Sequence, residues 1–357
     1  ASGGAATFVA ANGTNTIEIS DASYLALIGL TLDGGHRDGP FGICSRGDRP
    51  VHHLRIEDCF ITDYDGNQQM TAISNHCPSW NWTIRGNRIE RCGTGMYFAT
   101  NGMPFIAGVI ARNLVIDPLG YCLQIQNQKR PSIPGMPTAP SSTVIRDNVL
   151  IKSDRPSPDG DRPNLLLDGF PGIGPGSDDR YEVFGNLICH NPREALVQAS
   201  GRVSIHDNLI VDGGFAGIVL MDHQEPLRVA DIYHNTIVAV PLGVRSQRGG
   251  AARVTVTANA IFADEGVAGA LRSVDNLIAA RTGAASALAN PSPALGEMDL
   301  HPLPGACLGT AVDLAPFAHD VEAARDFDGS QERNSERRGA YGTSGAGAWR
   351  PGPTPKP

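Results

Sequence analysis

Short apolar segments, each interrupted by an asparagine at one fixed place, recur along most of the chain. They run from Ile84 to Ile89 around Asn87, Ile110 to Val115 around Asn113, Ile145 to Leu150 around Asn148, and Val183 to Ile188 around Asn186. Four more surround Asn208, Asn235, Asn259 and Asn276, and two earlier copies carry Leu30 or Asp58 in the asparagine place. Each segment is too short and too β-branched for a helix, and its apolar residues flank a turn-former, so the pattern predicts strand, tight turn, strand. Successive copies stand mostly twenty-odd residues apart, about one rung of a parallel solenoid whose rungs bury their apolar faces only by stacking. Asparagines repeated at one position would then form a ladder of side-chain amides. The competing reading is a set of ordinary asparagine turns in a β-sandwich.

A second strand pattern lies between the asparagine segments, as in Gly120 to Gln126, Asn164 to Asp168, Glu194 to Gln198 and Gly217 to Met221. Period-two alternation turns Tyr121, Leu123, Ile125, Leu165, Leu167, Ile218 and Leu220 inward. Gln124, Gln126, Asp168, Gln198 and His223 then point outward, with Tyr97 predicted outward on an earlier rung. Stacked in register, they make a polar stripe along one sheet. The expected architecture is all-β: a right-handed parallel β-helix over residues 1–280, an irregular C-terminal wrap over 281–345 that runs back along the side or covers the last rung, and a loosely packed tail over 346–357.

Composition changes this picture in three respects. A formal net charge of -8 argues against a phosphate-backbone binder, so nucleic acid is not an expected partner. An acidic sugar polymer stays open, provided local Lys and Arg offset the global sign where it sits. No stretch approaches the roughly 20 apolar residues of a membrane span. The 7 cysteines show neither CxxC spacing nor an even framework, which argues against a structural zinc site and leaves at least one thiol unpaired within the chain. The oligomeric state is left open.

Over roughly residues 15 to 280, these stacked asparagine segments resemble the pectate-lyase-like right-handed parallel β-helix superfamily, and more closely bacterial β-helix repeat proteins. The segment Asp326-Phe327-Asp328-Gly329 with Arg333 and Gly339-Ala340-Tyr341 resembles the closing stretch of many secreted bacterial solenoids. The resemblance implies a carbohydrate-active protein that is secreted, periplasmic or at the cell surface. The polygalacturonase signatures Asn-Thr-Asp, Gly-His-Gly and Arg-Ile-Lys do not occur here, nor does the Trp-Ile-Asp-His segment of the best-known pectate lyases. The resemblance therefore supports the architecture more than any one chemistry.

Rung spacing locates the candidate site. Asn113 to Asn148 spans 35 residues and Asn148 to Asn186 spans 38, whereas Asn186 to Asn208 spans 22. The surplus must leave the solenoid as loops, one over 128–142 and one over 152–180, expected to bracket the polar stripe. A polysaccharide lyase needs cations to neutralise the uronate carboxylate, a base for the neighbouring proton and an acid for the leaving oxygen. Lys129, Arg130, Arg155 and Asp168 are the expected catalytic set, with Tyr97, Gln124, Gln126, Gln198 and His223 as substrate contacts. In the resembled superfamily a desolvated Lys or Arg can serve as the base. No cofactor is required by the sequence, but Ca²⁺ is a candidate, with Asp168, Asp178 and Asp179 as possible ligands. The alternatives are a glycoside hydrolase, which needs two facing carboxylates, and a glycan-binding surface protein without turnover.

Overall fold

The structure is a computed structural model that describes residues 6–39, 41–129, 133–174, 176–247, 252–331, 335–344 and 349–357. Parallel strands stack rung upon rung as a β-solenoid with three faces. Each rung begins on a ten-stranded third face, turns at the asparagine position onto the first face, and bends again onto the second. The first and second faces form one 19-stranded sheet, because the long strands Thr236–Ser246 and Ala260–Gly269 run through the corner between them. Among the described residues, no helix is long and apolar enough to cross a membrane. All seven cysteines are buried free thiols.

The asparagine turns explain the register. The residue before each asparagine takes a left-handed conformation: Gly86, Arg112, Asp147, Gly185, Asp207, His234, Ala258 and Asp275 all have positive φ. That conformation swings the following asparagine side chain inside the corner, where it meets the rungs on either side. Asn148 Nδ2 donates to Asn186 Oδ1 at 2.9 Å and to the Ile110 carbonyl at 2.9 Å, and Asn148 N–H donates to the same Asn186 oxygen at 2.9 Å. The pattern repeats without a gap from Asn87 to Asn276. One expectation is corrected here. The residue in the asparagine place of the earlier rung is Cys59, not Asp58: Asp58 has φ 52 and fills the left-handed position, while Cys59 N–H donates to Asn87 Oδ1 at 3.0 Å.

Inside the solenoid, Ile84, Ile110, Ile145, Val183 and Ile205 of the third face pack with Val115, Leu150, Ile188 and Ile210 of the first. The first face is apolar on its outer side too. Leu114, Val149, Leu187, Leu209 and Phe262 lie there beneath Leu288, Met298, Leu300, Phe327 and Tyr341 of the C-terminal segment. The last first-face strand is Leu277–Ala279, after which a short antiparallel pair, Leu288–Asn290 with Asp299–Pro302, lies along this outer surface. The final residues are anchored rather than loose. Lys356 Nζ, 7% exposed, donates to Asp147 Oδ1 at 3.0 Å and to the Gly185 carbonyl at 2.8 Å, and sits 3.8 Å from the Phe327 ring centroid.

Candidate active site on the second face

Register on the second face brings sequence-distant residues into one outward column: Tyr97, Gln124, Leu166, Gln198, Val219, Arg245 and Ala268. Three expected contacts, Tyr97, Gln124 and Gln198, thus share one stripe. Leu166 separates Gln124 from Gln198 because its rung presents Asp168 at the corner instead. Tyr97 is half-buried, and burial pushes its phenol up to about 12. Gln126 follows Ile125 at the same corner column as Asp168, its N–H donating to the Phe98 carbonyl at 3.0 Å.

Asp168 is fully buried and receives five donors: Gly169 N–H at 2.7 Å, Ser200 Oγ at 2.9 Å, His223 Nδ1 at 2.9 Å, and the N–H groups of Gln224 and Glu225 at 3.3 Å. Two of these backbone groups come from the loop after Ala216–Leu220, which folds back across the intervening rung to reach Asp168. Burial opposes the Asp168 charge, but the His223 bond, the Gly169 N–H and the Ser200 hydroxyl outweigh it and hold the carboxyl below its ordinary range. The same bond to Asp168 raises the proton affinity of His223 against the cost of its partial burial. With Nδ1 committed to the carboxylate, the histidine side chain is 34% exposed and Nε2 meets no hydrogen-bond partner among the described residues. A buried carboxylate that orients one ring nitrogen leaves the other as the working acid or base.

Arg162 stands beside this pair. Its guanidinium lies 5.9 Å from the Tyr121 ring centroid, and its Nη1 and Nη2 donate to the carbonyls of Asp161 and Asp159 at 3.2 and 2.9 Å. Among the described residues it makes no ion pair. Burial raises the Tyr121 phenol, opposed by the Arg162 charge and reinforced by Glu194 and Asp168, so all four groups share one neighbourhood. The loop carrying Arg162 is clamped. Lys152 Nζ and Asn191 Nδ2 donate to the Arg162 carbonyl at 3.0 and 2.9 Å, while Gln68 accepts from Asp159 N–H at 3.0 Å and donates to the Gly160 carbonyl at 3.1 Å. Burial pulls the Lys152 ammonium down, so it holds Arg162 in place from beneath.

The other expected residues lie elsewhere. Arg155 sits at the corner between the first and second faces, where Nε donates to Asp117 at 2.8 Å and Nη1 to Asp65 at 2.9 Å. Two carboxylates already neutralise it. Lys129 is exposed at the opposite corner; its N–H donates to the Gly102 carbonyl at 3.1 Å, and the preceding Gln128 N–H donates to the Gly169 carbonyl beside Asp168 at 3.1 Å. Arg130 lies outside the described residues. Asp178 pairs with Arg202 at 3.2 Å by the third face, whereas Asp179 accepts from Ser141 N–H at 2.7 Å. Those two carboxylates diverge, as adjacent side chains on a turn do. For Ca²⁺, the fit fails at Asp168, because every group facing its oxygens is a hydrogen-bond donor. Among the described residues no cluster of three His, Cys, Asp or Glu side chains could hold a metal.

Tyr121 is the other correction. Asn164 O accepts from both Cys122 N–H at 2.9 Å and Leu123 N–H at 3.0 Å, a kink that breaks the alternation. Cys122 and Leu123 both enter the core, and Tyr121 is left half-buried at the surface. Arg162 was missed for a different reason: it reads as one more charge in a Pro- and Asp-rich loop. No family model matches the chain, and no curated protein matches its sequence.

Proposed function

We propose that the second face is the active face of a polysaccharide lyase that cleaves a uronate-containing polymer by β-elimination, the chemistry suggested by its resemblance to pectate-lyase-like β-helices. The observation that carries this reading is the Asp168–His223 pair beside Arg162, a guanidinium with no acidic partner among the described residues. Arg162 neutralises the uronate carboxylate and so acidifies the proton on the adjacent carbon. His223 Nε2, made more basic by Asp168, removes that proton. The Tyr121 phenol, kept protonated by burial, delivers a proton to the leaving glycosidic oxygen as that C–O bond breaks and the C=C bond forms. Tyr97, Gln124 and Gln198 supply hydrogen bonds along the stripe, and exposed Lys129 adds positive charge at its edge. A two-carboxylate hydrolase fits less well, because Asp168 is sealed behind five donors.

Incubation with a panel of uronate polymers, followed at the ultraviolet absorbance of the unsaturated product, tests the reading. Wild type is expected to give signal with at least one polymer, and His223→Ala to reduce it by at least about 100-fold, the usual size of a general-base contribution. New reducing ends without that absorbance would identify a hydrolase and end the lyase assignment.

A further inference from the structure

Arg245 is a second guanidinium on this face that, among the described residues, pairs with no carboxylate. It projects from the long strand Thr236–Ser246, in register with Val219 on one side and Ala268 on the other, and its guanidinium lies 6.0 Å from the Phe215 ring centroid. Around it is an open hollow of about 540 Å³ lined by Leu242, Arg245, Ser246, Gln247, Glu265 and Ala268. Phe215, Met221 and Ala268 pack against Val219 and Leu242 to make an apolar floor on the outer side of this sheet. A cation, an apolar floor and the exposed carboxylate of Glu265 complement a sugar acid: carboxylate to Arg245, ring face to Phe215, a hydroxyl to Glu265.

The register gives the spacing. Leu166, Gln198, Val219 and Arg245 occupy successive rungs, so Arg245 stands three steps, about 14 Å, from the rung of Asp168. The pairing of Arg162 with Tyr121 is repeated there by Arg245 with Phe215. We propose that Arg245 and Phe215, with Glu265 beside them, form a second uronate subsite, so that the groove grips an extended oligouronide at two carboxylates and favours long chains over short ones. The inference rests on the reading of this face as a binder of acidic polysaccharide.

Isothermal titration of the whole chain with sized oligogalacturonates and oligoalginates tests it, alongside turnover on the parent polymers. Arg245→Gln is expected to weaken extended oligomers about tenfold, the order expected for one charge-assisted hydrogen bond. Disaccharide affinity should be unchanged, and on polymer KM should rise with kcat retained. Phe215→Leu should show the same dependence on length. If wild type eliminates polymer but neither variant changes the preference for length, the subsite falls and the lyase reading stands. If the oligomers bind with this dependence on Arg245 yet no elimination product forms, the subsite stands and the lyase reading falls. Failure of wild type to bind any uronate oligomer overturns both.

Discussion

The asparagine ladder makes a quantitative demand on stability, sharpest at Asn208. Its Nδ2 donates to the carbonyls of Val183 and His206 and to Asn235 Oδ1, each at 2.9 Å, while its Oδ1 accepts from Asn186 N–H at 3.0 Å and Asn186 Nδ2 at 2.9 Å. In Asn208→Ala the Asn186 N–H is left buried without its acceptor, which costs roughly 1–3 kcal/mol, and the four other bonds contribute on the order of 0.5–1 kcal/mol each, for a total of about 3–7 kcal/mol. Asn276 closes the ladder and is partly exposed: its Oδ1 accepts from Asn259 N–H and Nδ2 at 2.9 Å, while its Nδ2 donates only to the Val256 carbonyl and Ser273 Oγ, with no further rung beyond. Water replaces much of what Asn276→Ala removes, so about 1 kcal/mol is expected there. Cys59→Asn is the converse change: a donor amide placed on Asn87 Oδ1 should raise stability by roughly 1 kcal/mol. Urea unfolding, with midpoint and slope both fitted, measures all three. Equal losses at Asn208 and Asn276 would refute the argument that burial of the ladder sets its worth.

Two further outcomes concern charge. His223 is raised by Asp168, so activity that uses it as a base should rise with pH through a midpoint above the ordinary histidine value of about 6.5, and Asp168→Asn should move that limb down; an unmoved limb would remove His223 from the reaction. The linked stability has two edges. The His223 contribution is complete below about 6.5 and is lost as pH rises through its raised folded value, while that of Asp168 is present above about 3.9 and is lost as pH falls through its lowered one, so hydrogen exchange at Gln224 and Glu225 should be slowest between. At the other end of the molecule, Lys356→Met strands Asp147 with Arg146 as its remaining partner, and should cost roughly 2–4 kcal/mol and open residues 349–357 to limited proteolysis.

The architecture could be read from the chain because its signal is both local and repeated. Each asparagine follows a left-handed residue and has Ile, Val or Leu two places on, so eight copies specify the stacking before any distant contact is known. The site was readable only where it rides on that period. Tyr97, Gln124 and Gln198 were found by alternation, and Asp168 and His223 by adjacency to strand ends, although nothing local says that His223 turns back onto Asp168. Tyr121 was misplaced because one carbonyl, that of Asn164, takes two consecutive N–H groups and shifts the phase. Arg155 attracted attention as a cation in a long loop, but its neutralising partners, Asp65 and Asp117, sit 90 and 38 residues away, Asp117 one rung and Asp65 three rungs earlier on the same corner. Arg245 escaped notice because its rung has no turn between first and second faces and reads as one uninterrupted strand.

The wrap over the first face also imposes an order of assembly. Leu114, Val149, Leu187, Leu209 and Phe262 are roofed only by residues from Ala284 onward, and the last pin, Lys356, reaches Asp147 across 209 positions. During synthesis the solenoid can zip rung by rung through near-neighbour pairing, but its flank stays oily until the final stretch leaves the ribosome. A message truncated ahead of Ala284 would therefore yield a chain with intact rungs and a sticky side, prone to clump with its own kind.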